Sequence, residues 1–124
     1  MYMINLRTTL AFVYVASLLV FPGGSFGHAF PDHSDPRAGS TLSAPPVSVF
    51  IWFDSYIEPV FSRLTVQDAS GKQVDLGNSR VDSSNSVLLE VGLPALSAGT
   101  YRVIWNVVAR DGHRTTGDFT FTIK

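Results

Sequence analysis

The stretch Thr100-Tyr-Arg-Val-Ile-Trp-Asn-Val-Val108 decides the fold class, because apolar residues recur in it at every second position. Side chains alternate between the two faces of an extended strand, so one face of this stretch is predicted to be buried. Its members are Tyr101, Val103, Trp105 and Val107. The same period of two predicts that one face of residues 117–123 is buried, with the members Phe119, Phe121 and Ile123. It predicts a further buried face formed by Val47, Val49, Ile51 and Phe53.

Shorter apolar runs complete the pattern. Leu64 and Val66 form one run, which the turn sequence Asp68-Ala-Ser-Gly71 closes, and residues 87–91 form another. No segment shows a sustained helical period. The sequence therefore predicts an all-β fold, an immunoglobulin-like β-sandwich of about seven strands.

Two regions depart from the regular strands. Four prolines between Pro31 and Pro46 predict an irregular or edge-like opening segment. The polar residues 73–86 predict a long loop with an edge strand. Tyr101, which follows Gly99-Thr100, is predicted either to bond nearby backbone through its phenol, as in a tyrosine corner, or simply to fill the core.

Residues 1–27 are predicted to be a secretory signal peptide. Arg7 precedes an apolar run from Leu10 to Phe21, and Ser25-Phe-Gly27 supplies small residues at a cleavage site. The alternative, a membrane anchor, is disfavoured because a spanning helix needs about 20 apolar residues. We therefore expect a single secreted domain, residues 28–124, that is not embedded in a membrane.

Charge and composition exclude several classes of function. The net charge is −1 and no basic stripe is present, so nucleic acid and anionic lipid are not expected as partners. The chain has no cysteine, so neither a disulfide framework nor a thiolate metal site is expected.

Three residues are candidate metal ligands: His28, Asp111 and His113. Removal of residues 1–27 would leave His28 with a free α-amino group, which can chelate one metal together with the ring Nδ1. Asp111 and His113 are two residues apart, so extended backbone would direct both side chains to the same side, and Gly112 lets the chain turn between them. Nitrogen and oxygen donors in a tetragonal set suit Cu(II).

Each of these signals has a plainer interpretation. Asp-Gly is a common turn dipeptide, and a histidine at a cleavage site can occur by chance. Their joint occurrence in a secreted all-β domain with three histidines is more specific than either signal alone.

The mature sequence resembles the CopC family of bacterial periplasmic copper carriers. The resemblance is carried by His28-Ala-Phe30 with Ser34-Asp-Pro36, by Val49-Phe-Ile-Trp-Phe53, and by Leu96-Ser-Ala-Gly-Thr-Tyr101 with Val103-Ile-Trp105. Its most specific block is Val107-Val-Ala-Arg-Asp-Gly-His113 leading to Gly117-Asp-Phe-Thr-Phe121. It implies that the sandwich is an immunoglobulin-like Greek-key β-sandwich or barrel. It also implies a periplasmic protein of copper homeostasis or resistance that binds one Cu(II) through the terminal amine, His28, Asp111 and His113. It also implies an inner-membrane copper transport protein as a partner.

The chain departs from the family members that carry a methionine-rich Cu(I) site. Both methionines, Met1 and Met3, lie in the predicted signal peptide, and residues 64–86 contain neither methionine nor histidine. A Cu(I) site is therefore not expected. His33 is predicted to be an exposed loop residue, with a distant or axial ligand as the alternative.

Phe50 and Trp52 alternate with the predicted buried face of their strand. We expect this strand to be covered on both sides, and an exposed aromatic patch for a partner is the alternative.

Two other functions compete with a non-catalytic copper carrier. One is a small oxidative copper enzyme of the monooxygenase type, which also uses a terminal histidine and a second histidine. Residues 28–124 leave little surface for a flat substrate, and Asp111 would occupy a position that such chemistry keeps for oxygen. The other is an adhesive or structural sandwich without a metal.

Overall fold

The computed structural model describes residues 28–124, which form two four-stranded β-sheets. The predicted signal peptide, residues 1–27, lies outside the described residues. Eight strands were found where about seven were predicted, and two of the eight are only two residues long. The strands are β1 (Pro31–Asp35), β2 (Thr41–Leu42), β3 (Ser48–Phe53), β4 (Arg63–Gln67), β5 (Arg80–Val81), β6 (Leu88–Gly92), β7 (Gly99–Val108) and β8 (Arg114–Ile123).

The first sheet has the strand order β1-β3-β6-β5, and the second has the order β2-β8-β7-β4. Short elements occupy the edges, since β1, β5 and β2 each end a sheet. The opening segment and the polar segment 73–86 therefore supply edge strands, as their prolines and polar residues predict. In the second sheet β7 and β8 pair antiparallel over their whole length, from Gly99 opposite Ile123 to Val108 opposite Arg114.

The inner faces of the two sheets form one apolar core. The predicted period of two is confirmed in β7, where Tyr101, Val103, Trp105 and Val107 are all buried. It is confirmed in β3 as well, except at its first member. Val47 is exposed because it precedes the strand, directly after Pro45 and Pro46. In β8, Phe121 and Ile123 are buried and Phe119 is half-buried.

Two local contacts explain why Tyr101 and Gly117 occupy their positions beside the core. The Tyr101 hydroxyl donates to the carbonyl of Ser97 at 2.7 Å, so this tyrosine both fills the core and bonds nearby backbone. Gly117 lies opposite Trp105, and a Cβ atom at this glycine would lie 2.3 Å from the indole. Only glycine lets the large ring lie flat against β8.

His33 lies on strand β1 rather than in a loop, although it is exposed as predicted. Its ring stacks on Trp52 with centroids 4.5 Å apart and planes 8° apart, and its Nδ1 lies 2.8 Å from Asp32 Oδ2. Phe50 and Trp52 are half-buried. His33 of β1 therefore partly covers the outer face of β3. The result lies between the two expectations from the sequence, a fully covered strand and an exposed aromatic patch.

Candidate metal centre

The segment between β7 and β8 forms a tight turn that presents Asp111 and His113. The Gly112 N–H donates to the Ala109 carbonyl and the Ala109 N–H donates to the His113 carbonyl, both at 2.9 Å. Gly112 has a φ of +88°, in the left-handed region that favours glycine. This is the conformational role that the sequence predicts for it.

Asp111 and His113 contact each other directly. Asp111 Oδ1 accepts the backbone N–H of His113 at 3.0 Å, and Oδ2 lies 2.9 Å from His113 Nδ1. An ionised carboxylate can only accept, so Nδ1 carries the proton in this pair. The backbone N–H, the ring hydrogen bond and the nearby charges of His113 and His28 hold the pKa of Asp111 below its usual value.

His28 lies beside this pair although 85 residues separate it from His113 in the sequence. The ring centroids of His28 and His113 are 4.9 Å apart, with planes tilted by 39°. Both residues are exposed, so an ion can reach them from solvent. The structure therefore brings the three predicted ligand residues, His28, Asp111 and His113, to one end of the sandwich.

Three hydrogen bonds hold the residues after His28 in place. The Thr115 hydroxyl donates to the Ala29 carbonyl at 2.6 Å, and both residues are buried. The Phe30 N–H donates to Asp54 Oδ1 at 2.9 Å, and the Asp54 N–H donates to the Phe30 carbonyl at 2.9 Å. These bonds tie the opening segment to β8 and to the segment after β3, which fixes the position of His28.

Thr115 and Asp54 are site residues that the sequence analysis missed. Thr115 follows Asp111-Gly-His113 by two residues, but threonine is common in strands, so nothing local marks it as an anchor. His33, the alternative ligand, bonds Asp32 and stacks on Trp52 instead.

The side chains of residues 28–124 do not by themselves complete a metal site. Within this part of the chain, no three histidine, cysteine, aspartate or glutamate side chains converge closely enough to hold an ion. In the full sequence Gly27 precedes His28, so the nitrogen of His28 is an amide. One ion can be held by His28, Asp111 and His113 only if their exposed side chains turn toward it, and a free α-amino group at His28 would add a fourth donor.

Comparison with known proteins identifies the family. The CopC domain model matches residues 32–124, a range that includes Asp111 and His113 and begins four residues after His28. Protein YobA of Escherichia coli K12 is 31% identical over 97% of this chain and 95% of its own length. Copper transport protein CutJ of Bacillus subtilis is 33% identical over 86% of this chain, which spans only 20% of that longer protein.

Solved structures agree with the sequence match. CopC from Methylosinus trichosporium OB3b superimposes with a TM-score of 0.70 at 29% identity, over 78% of this chain and 94% of that one. PcoC, a methionine-rich copper resistance protein from Escherichia coli, has a TM-score of 0.67 at 28% identity, over 78% and 99% of the two chains. On the evidence of its two sheets, its family-model match and these relatives, the chain belongs to the CopC domain family of copper resistance and copper transport proteins.

Proposed function

We propose that this chain is a periplasmic copper carrier that binds one Cu(II) as cargo through His28, Asp111 and His113. The single observation that carries the proposal is the placement of the His28 ring 4.9 Å from that of His113, which Asp111 already orients. Cleavage after Gly27 would add the α-amino nitrogen of His28. The donor set would then hold three nitrogens and one oxygen, which suits tetragonal Cu(II).

The distance between the two donors of the turn supports this fit. His113 Nδ1 and Asp111 Oδ2 are 2.9 Å apart. Neighbouring ligands of a tetragonal ion with bonds of about 2.0 Å lie about 2.8 Å apart. Their separation therefore matches that of neighbouring ligands of one ion, and the imidazole of His113 would turn to direct Nδ1 at the copper as the metal displaces the proton.

The chemistry of the described residues favours Cu(II) over Cu(I). Residues 28–124 contain neither cysteine nor methionine, the soft sulfur ligands that Cu(I) prefers. In this respect the chain differs from the methionine-rich PcoC. We expect no Cu(I) site of comparable affinity, which a competition assay with a Cu(I) chelator measures.

The relatives support a carrier rather than an enzyme, because those named for copper are resistance and transport proteins. Similarity to one fifth of the copper transport protein CutJ also supports an inner-membrane copper transport protein as a partner of this chain. Within residues 28–124, no helix is long and apolar enough to cross a membrane. An oxidase and peroxygenase assay of the copper-loaded protein with a reductant tests the enzymatic alternative, and turnover would support it.

Electron paramagnetic resonance of a Cu(II) titration tests the proposal. We expect one tetragonal, nitrogen-coordinated signal that saturates at one ion per chain. As the pH falls from about 7 to about 4, protons should displace the metal, because imidazole, the amine and the carboxylate all bind them. A signal that continues to rise beyond one ion per chain would count against a specific site.

The variant Asp111→Asn should release copper at a higher pH than the parent. The pKa of Asp111 is lowered, so its carboxylate stays ionised as the pH falls until that lowered value is reached. Asparagine has nearly the same size but lacks the negative charge that attracts Cu(II), so the metal is held more weakly and protons displace it at a higher pH. If this variant holds copper to the same pH as the parent, Asp111 is not a ligand and serves only the turn.

Thr115→Val should weaken copper binding without touching a ligand. The substitution keeps the shape but removes the hydroxyl that bonds the buried Ala29 carbonyl. We expect about a tenfold loss of Cu(II) affinity, as for other residues that orient ligands, and a destabilisation of about 1–3 kcal/mol. Thr115→Ser keeps the hydroxyl and should restore most of the affinity and the parent spectrum; an unchanged affinity in Thr115→Val would refute this positioning role.

A further inference from the structure

A groove whose lining includes Arg114, the residue after His113, combines exposed apolar residues with two arginines. Its apolar wall is a short 3₁₀ helix, Pro59–Phe61, on which Val60 is 86% exposed and Phe61 is 60% exposed. The Glu58 N–H, just before this helix, donates to the Val108 carbonyl at 2.7 Å. The helix is therefore anchored to the end of β7, where the turn that carries Asp111 and His113 begins.

The groove also has a basic lining. Arg63 on β4 and Arg114 on β8 line it, with Ile104 and Asn106 of β7 between them, and the groove has a volume of about 530 Å³. Arg114, which directly follows His113, donates to the Asn106 side chain through its Nη1. None of the described residues that line the groove is a carboxylate.

Among the described residues, the two arginines of the groove have no carboxylate partner, unlike Arg80 and Arg102. Arg80 pairs with Glu90 and Arg102 pairs with Asp118. Within residues 28–124, neither Arg63 nor Arg114 forms an ion pair. Two unpaired positive charges beside an exposed apolar wall are complementary to a ligand that carries carboxylates and a large apolar side chain.

We propose that this groove docks an acidic, apolar segment of the protein that exchanges copper with this chain. Carboxylates of the segment would form bidentate bonds to Arg63 and Arg114, and an apolar side chain would cover Val60 and Phe61. Docking here would bring the partner next to Asp111-Gly-His113, and the charges would raise the rate of encounter. The partner's role rests on the proposed copper function, whereas binding of the segment does not need copper.

A nuclear magnetic resonance titration of the copper-free protein with a synthetic peptide tests the proposal. The probe is a capped peptide of alternating glutamate with leucine and phenylalanine, and its control replaces every glutamate by glutamine. We expect the glutamate peptide to shift the backbone amides of residues 59–65, 104–106 and 114–116, and the glutamine peptide to leave them unchanged. Because this titration uses copper-free protein, a failure of copper binding cannot be mistaken for a failure of docking.

Charge variants make the test specific to the groove. The double variant Arg63→Gln with Arg114→Gln should weaken peptide binding at least about tenfold, since hydrogen bonds to charged groups are lost. The matched double variant Arg37→Gln with Lys72→Gln removes the same charge at exposed positions outside the groove and should change binding less than about twofold.

Several results would overturn the proposal. They are the absence of binding by the glutamate peptide, equal binding of the glutamine peptide, equal weakening by both double variants, and shifts that fall outside the groove. Shifts of the groove amides by phosphatidylglycerol vesicles or a short DNA duplex, without a response to the peptide, would assign the groove to a phosphate-bearing ligand instead.

Discussion

Four glycines added in front of His28 are expected to weaken Cu(II) binding about a hundredfold or more. The addition turns the α-amino group into an amide, so the chelate formed by this nitrogen and the ring Nδ1 is lost. Structural four-ligand zinc sites bind with about 10–16 kcal/mol, which corresponds to about 3 kcal/mol for each donor and about a hundredfold in affinity. Isothermal titration in competition with a chelator measures the change.

The extended protein should keep the stability of the parent, because His28 is exposed and the buried anchor begins at Ala29. Equal thermal unfolding midpoints in the absence of copper would show that the fold is intact. His28→Ala provides a second comparison, since it keeps the amine and removes the ring. Parent-like affinity of the extended protein would eliminate the terminal amine as a donor.

The substitution His113→Ala is expected to produce a loss of similar size, about a hundredfold in Cu(II) affinity. It removes the imidazole that lies beside His28 and the ring nitrogen that contacts Asp111 Oδ2, while the backbone N–H that bonds Asp111 Oδ1 remains. The nitrogen coupling in the electron paramagnetic resonance spectrum of the bound Cu(II) should also become weaker. A change in protein stability alone does not alter that coupling.

His33→Ala is the matched control for this variant. Both histidines are exposed and each bonds a neighbouring aspartate, at 2.8 Å for His33 and 2.9 Å for His113. Because His33 stacks on Trp52 on the β1–β3 side of the sandwich, its removal should change copper affinity less than about twofold. A larger loss in His33→Ala than in His113→Ala would show that the ligands are assigned wrongly.

The fold class could be predicted because strand burial leaves a local trace. The period of two in residues 100–108 follows directly from alternation along β7, and the turn at Asp68–Gly71 follows from residue types. Val47 was assigned wrongly to the core because the pattern continues past the point where Pro46 ends it. The prolines around His33 predict a loop, because proline rarely occurs inside a sheet. They are compatible with β1 because it is an edge strand, where proline is tolerated.

The site was only partly predictable, because its arrangement depends on contacts between distant segments. Asp111 and His113 are two residues apart, so their mutual contact is local. The placement of His28 depends instead on bonds that join Thr115 to Ala29, 86 residues apart, and Asp54 to Phe30. No sequence pattern announces such bonds, since they require the finished packing of both sheets.

The groove of Arg63 and Arg114 was invisible in the sequence for a different reason. An isolated arginine in a strand pattern is usually a solvated residue, and the net charge of −1 gives no indication of a basic site. Its character emerges only when β4 and β8 place these two residues in one groove with the 3₁₀ helix.

Native mass spectrometry of the protein recovered from the periplasm tests the central claim most directly, because one spectrum reports both the first residue and the bound metal. The account predicts a chain of residues 28–124 that carries one copper ion after exposure to one equivalent of Cu(II). The account would be contradicted by a chain that begins at another residue and still carries one copper ion. It would also be contradicted by a 28–124 chain that carries none.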